Sequence, residues 1–181
     1  MANFVLVHGA WHGGWCWVRV AESLTSAGHK VLTPTLTGLG DRAHLGDRDT
    51  NLDTHITDVI SAIEAEELND VVLCGHSYGG IVITGAADLI FEKLSSIVFL
   101  DAFIPRHGQS MQDLLPPERR RQAERVVRER GNGWLVPAWS AKSFYVVAGE
   151  EIEWFDLQCV PLLSDTMKQG VRQLGAWEKV A

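Results

Sequence analysis

Residues Leu73 to Gly80 read LCGHSYGG, and within them Gly75-His76-Ser77-Tyr78-Gly79 fits the pattern G-x-S-x-G. A serine hydroxyl is a weak nucleophile until a base removes its proton and donors stabilise the developing oxyanion. The pattern is weak alone, since a Gly-rich turn can be purely structural. Its setting adds weight. The strand-like Val71 to Cys74 leads in, and an apolar helix-like run, IVITGAADLIFEKL, leads out. That is the strand–turn–helix context of a nucleophile elbow. Such a turn forces the serine into strained backbone angles, and only glycine on both flanks leaves room. The turn also sets the hydroxyl at a helix N-terminus, where negative charge is favoured.

An oxyanion needs two donors. One would be the backbone N–H of Tyr78, directly after the nucleophile. The second should come from the Gly-rich loop after the first strand, HGAWHGGW from His8 to Trp15, with the Ala10 N–H as candidate. Gly9, Trp11 and His12 of this loop are candidate substrate-binding positions. Trp11, Tyr78 and aromatics further along would form an apolar pocket wall. With Asp53 as N-cap, Ile56, Val59, Ile60 and Ile63 predict a helix, which places His55 in its first turn.

Four short apolar runs predict strands: Phe4 to Val7, Val31 to Leu32, Val71 to Cys74 and Ile97 to Leu100. Near-continuous apolar runs are how parallel strands buried on both faces read. Helical spacing lies between them: Trp17, Val20, Ala21 and Leu24 share one face, with Gly28 at the C-terminal cap. The alternation predicts an α/β fold, whose ligands gather at the carboxyl ends of the strands. Three segments are expected: a core over residues 1–105, a cap over 106–165, and a return helix of the core over 166–181. The cap contains the charged run ERRRQAERVVRER, read as a solvated helix. Trp134, Trp139, Phe144, Trp154 and Phe155 give it something to bury. In the return helix, Met167, Val171 and Leu174 would share a face.

The chain has 181 residues, of which 46% are apolar and 22% charged, as in an ordinary globular domain. A net charge of −7 disfavours nucleic acid and anionic membranes as partners. Cys16, Cys74 and Cys159 match no zinc or CxxC spacing and read as reduced thiols in a cytoplasmic protein. The N-terminus lacks the pattern of a signal peptide, and no segment reaches the length of a membrane span.

Taken together, FVLVHGAWHGGWCW, LTGLGDRAHL, DTHITDV, GHSYGG and IVFLDAFIP resemble the α/β-hydrolases, over residues 4 to 105. The chain resembles the branch that contains plant hydroxynitrile lyases, methyl-salicylate esterases and related bacterial esterases, including pyrethroid-type carboxylesterases. The resemblance implies an α/β-hydrolase fold and a serine carboxylesterase acting on a small to medium apolar ester, with no metal and no cofactor. The lyases carry threonine where this chain has Gly9, which leans towards ester hydrolysis.

The triad of this fold runs serine, acid, histidine along the chain. Of seven histidines only His107 follows Ser77. Asp101 and His107 are therefore the acid and base candidates, with Asp101 alternatively a buried carboxylate capping a strand. The resembling family places both partners on later strands, which this sequence does not reach. The expectation is a fragment, a natural truncation, or a protein completed by another chain. A non-catalytic binding protein of this fold is the alternative function, and a hydroxynitrile lyase a second. An exposed sheet edge would invite a homodimer.

Overall fold

The computed structural model describes residues 1–144 and 149–180, with the backbone alone at Glu150 and Trp177. Four parallel strands form the main sheet: β1 (Asn3–Val7), β2 (Lys30–Leu32), β3 (Val71–His76) and β4 (Leu94–Leu100). Their order is β2-β1-β3-β4. Val7 pairs with Gly75 and His76 with Leu100, so the carboxyl ends of β1, β3 and β4 lie side by side.

Three helices connect the strands. Helix α1 (Val18–Ser26) packs lightly, with no buried residue of its own. Trp17 is buried in a short turn before it, and Val20, expected on the inner face, is exposed. Gly28 adopts φ +85° just past the end, as a C-terminal cap requires. Helix α2 (Leu52–Ala65) buries Leu52, His55, Ile56, Val59 and Ile63. Its N-cap is Asn51 and not the expected Asp53. The Asn51 side chain accepts from the Thr54 amide at 3.2 Å, and Thr54 Oγ1 accepts from the Asn51 amide at 3.3 Å. Helix α3 (Gly79–Ile90) is buried on every side as far as Asp88, because it lies between the sheet and α2.

Beyond β4 come α4 (Met111–Leu114), the charged α5 (Pro117–Arg130), β5 (Leu135–Val136), α6 (Gly149–Gln158), β6 (Leu162–Leu163) and α7 (Ser164–Lys168). Strands β5 and β6 pair antiparallel. This region lies against the loop that leaves β1. The Trp11 ring stacks on Trp139 with centroids 5.2 Å apart, and its Nε1 donates to the Val136 carbonyl at 3.0 Å.

The helix expected through Leu174 ends at Lys168. A Cβ at Gly170 would stand 2.2 Å from the Gly108 carbonyl oxygen, so backbone meets backbone there. The chain runs extended instead. The Val171 amide donates to Gln109 and its carbonyl accepts from Gly108. Leu174 is 87% exposed, not on a buried face. Asp88 accepts from the amides of Leu174 and Ala176, which ties this segment to α3.

The cap assignment is checked by urea unfolding. Asn51→Ala is expected to lower stability by about 1 kcal/mol, and Asp53→Ala by less. Equal losses would return the cap to Asp53.

Candidate active site

Ser77 follows the last residue of β3 and has φ +53°, a left-handed conformation costly for any residue but glycine. The fold tolerates it because the backbones around it approach closely. A Cβ at Gly75 would meet the Gly79 carbonyl oxygen at 2.6 Å, and one at Gly79 would meet the Val7 carbonyl oxygen at 2.7 Å. Hydrogen bonds hold the turn: the Ser77 amide donates to Leu100 and the Ser77 carbonyl accepts from Phe103. The serine thus sits between β1 and β4, at the head of α3.

The loop after β1 faces it. A Cβ built on Gly9 would lie 3.2 Å from Ser77 Cβ and 3.2 Å from His76 Nδ1. Neither the Ala10 nor the Tyr78 amide is used in a backbone hydrogen bond among the described residues. Trp11, next in the loop, has φ +65°, unusual for so large a side chain. Contacts with the region beyond β4 hold it there. Its carbonyl accepts from the Val160 amide at 3.0 Å, and its indole donates to Val136. Nothing in the composition of HGAWHGGW marks Trp11 as the strained member, because the contacts that strain it come from residues 136 and 160.

Tyr78 is wholly buried, so its ring forms no accessible pocket wall, contrary to expectation. Its hydroxyl lies 2.8 Å from His55 Nδ1, and His55 Nε2 lies 2.8 Å from the Thr37 carbonyl. A carbonyl only accepts, so Nε2 carries the proton and Nδ1 accepts from the Tyr78 O–H. His55 therefore holds the residue beside Ser77. Its helical position was legible in the sequence, but this partnership was not.

His8 is likewise paired, with Nε2 accepting from the Leu36 amide and Nδ1 donating to the Gly9 carbonyl. Burial drives its pKa down to about 3, and that of His55 to about 4. His12 is lowered to about 4 by burial and then by His76. Burial also raises the Cys16 and Cys159 thiols to about 12, which keeps both protonated.

The acid and base candidates are not brought to the serine. Asp101 directly follows β4 with φ +43° and is exposed, not a buried capping carboxylate. It faces His76 electrostatically and raises that imidazole against the lowering effect of burial. His107 is exposed, and its Nδ1 contacts the backbone of Gln173. Among the described residues none hydrogen-bonds Ser77 Oγ, and no group of three His, Cys, Asp or Glu could hold a metal ion. No helix there is long and apolar enough to cross a membrane.

Residues 4–180 match the Alpha/beta hydrolase family. The chain is 53% identical over 169 residues to a carbendazim hydrolyzing esterase from Nocardioides sp. (strain SG-4G), covering 89% of this chain and 69% of that one. It is 38% identical over 104 residues to an alpha-hydroxynitrile lyase from Arabidopsis thaliana, covering 57% of this chain and 40% of the lyase. Among solved structures it resembles an extracellular alpha/beta-hydrolase from a Paenibacillus species, described as sharing structural and functional homology with Tobacco Salicylic Acid Binding Protein 2. That likeness has a TM-score of 0.85 at 26% identity and covers 99% of this chain and 74% of the other.

The buried histidines make stability pH-dependent. Their folded pKa values lie below the ordinary 6.5, so between about pH 4 and 6.5 the unfolded chain binds more protons. Their contribution is complete above pH 6.5 and is lost as pH falls, each histidine by about 1.4 kcal/mol per pH unit. Denaturant unfolding at pH 7, 6 and 5 checks this. An unfolding free energy flat across that range would refute it.

Proposed function

The chain belongs to the alpha/beta hydrolase family, and we propose that it carries the nucleophile and oxyanion hole of a serine carboxylesterase. One observation carries this reading most directly. Ser77 stands in a left-handed turn between two glycines, with the backbone at Gly9 against its Cβ. Ser77 Oγ attacks the ester carbonyl carbon as its proton passes to a general base. The carbonyl oxygen becomes an oxyanion facing the Ala10 and Tyr78 amides. Collapse expels the alcohol, which takes the proton, and leaves an acyl group on Ser77. Water, deprotonated by the same base, then releases the acid. One such donor is worth about 3 kcal/mol in the transition state.

His107 is engaged with Gln173 and Asp101 faces His76, so we place the base and its acid outside the described residues. The chain spans 69% of the bacterial esterase and 40% of the plant lyase. A small to medium apolar ester is the proposed substrate class, and the Nocardioides relative makes carbendazim the first compound to try. Lyase chemistry is the weaker reading. Any side chain at position 9 would crowd Ser77 Cβ and His76, and this chain has none there.

The proposed nucleophile is tested by intact-mass spectrometry after incubation with a fluorophosphonate probe. An adduct on the wild type and none on Ser77→Ala is expected. A folded wild type that takes no adduct would leave a non-catalytic binding protein as the better reading.

A homodimer through the sheet edge is proposed on separate grounds. Val98 and Leu100 of β4 are 41% and 48% exposed, an apolar edge that invites pairing with a second copy. Light scattering is expected to give the mass of a dimer, and a clean monomer would count against it.

A further inference from the structure

A cleft of about 480 Å³ opens at the carboxyl end of β2, the edge strand farthest from β4. Four parts of the chain wall it. Trp15 comes from the loop after β1, Thr33 and Thr35 follow β2, Asp41 lies in the helical turn Gly40–Leu45, and Leu157 and Gln158 end α6. The core side of this frame is backbone packed on backbone. A Cβ at Gly14 would stand 2.2 Å from the Thr33 carbonyl oxygen, and one at Gly40 would stand 3.0 Å from Gly13 Cα. The carboxyl ends of strands are where ligands gather in sheets of this kind, and a volume of this size suits a small molecule.

The polar groups of the cleft are unspent. The side chains of Thr33, Asp41 and Gln158 hydrogen-bond no other described residue. Thr35 Oγ1 accepts from the Gly14 amide at 3.1 Å, which leaves its proton and a lone pair free. The set therefore holds one acceptor-only carboxylate, two hydroxyls and an amide that each donate and accept. Trp15 and Leu157, the latter 76% exposed, add apolar surface. Asp41 is the one charged residue of the lining, so the cleft disfavours an anion. A simple cation would use Asp41 and leave the donors of Thr33, Thr35 and Gln158 without a partner.

We propose that this cleft is a binding site for an uncharged pyranose sugar. The polar groups stand on separate walls, after β2, in the turn at Asp41 and at the end of α6. A pyranose carries hydroxyls around its whole rim, and each both donates and accepts. They donate to the Asp41 carboxylate and exchange hydrogen bonds with Thr33, Thr35 and Gln158, while the C–H surface of the ring packs on Trp15 and Leu157. A flat heteroaromatic has its donors along one edge and reaches only one wall. Strand β1 lies between β2 and the strand that leads to Ser77, so this site is separate from the serine. It does not rest on the esterase reading.

The test is ¹H–¹⁵N NMR of the full chain, titrated with the methyl glycosides of glucose, galactose and mannose. The Trp15 indole and the Gly40 and Asp41 amides are followed. Cyclohexylmethanol serves as a ring without ring hydroxyls, and ethylammonium chloride as a simple cation. At least one glycoside is expected to shift these resonances saturably and to bind more tightly than either control. Asp41→Ala is expected to weaken that binding on the order of tenfold or more, because a hydrogen bond to a charged group is lost. Gln158→Ala is expected to weaken it less. Neither side chain hydrogen-bonds another described residue, so both variants are expected to melt with wild type. Ser77→Ala is expected to bind the glycoside as wild type does. No saturable shift with any of the three glycosides would overturn the proposal, as would equal or tighter binding of either control. Unchanged affinity in Asp41→Ala or Gln158→Ala, or lost binding in Ser77→Ala, would also overturn it. Glycoside binding by a chain whose Ser77 takes no fluorophosphonate would leave this site standing without the esterase reading.

Discussion

The left-handed backbone of Ser77 is the constraint on which the rest of the structure depends. A non-glycine residue in that region costs on the order of 1–3 kcal/mol and persists only where its surroundings over-determine it. Here they do so from several directions. The Leu100 carbonyl at the end of β4 fixes the amide, and the Phe103 amide fixes the carbonyl. The Val7 and His8 carbonyls close on Gly79 so tightly that no side chain fits there. The parallel register Val7 with Gly75 and His76 with Leu100 is what delivers all three strand ends to one point. A slip of one residue would separate them and turn each strand over.

Behind the serine, the polar interior is arranged to stay uncharged. His55 joins the Tyr78 hydroxyl to Thr37, and Thr37 is held by Asp58, which in turn pairs with Arg42. The network runs from a partly exposed ion pair inward to the residue next to Ser77, and charge stays at its outer end. Burial makes protonation of His55 unfavourable, which preserves the tautomer that both hydrogen bonds require. The elbow therefore rests on neutral donors and acceptors whose geometry does not change over the neutral pH range.

Much of this was legible in the sequence, and the rest was not, for physical reasons. The runs around Val5, Leu73 and Ile97 announced parallel strands, and the tight turn at Ser77 announced itself through its glycines and its strand-and-helix setting. These signals are local. Asn51 displaced Asp53 as a helix cap by one turn chemistry over another, a choice of two residues that apolar spacing does not resolve. The expected return helix failed because Gly170 meets Gly108, 62 positions earlier in the chain, as backbone on backbone. Periodicity in Met167, Val171 and Leu174 contains no trace of that contact. The pairing of His55 with Tyr78, and the exposure of Asp101, are likewise set by residues far away in sequence.

Trp11 shows how the region beyond β4 constrains the core. Its φ of +65° would relax in an isolated loop, since nothing in the loop itself favours a left-handed tryptophan. Two hydrogen bonds oppose that relaxation, one donated by the indole to the Val136 carbonyl and one accepted by the Trp11 carbonyl from the Val160 amide, and both partners belong to the region beyond β4. Stacking on Trp139 adds a third restraint. Ala10 is the residue immediately before Trp11, so the direction of its amide depends on where Trp11 is held. The region beyond β4 is therefore part of what shapes this loop. Its docking on Trp11 restrains the loop that runs from β1 past Ser77, through contacts that lie outside that loop.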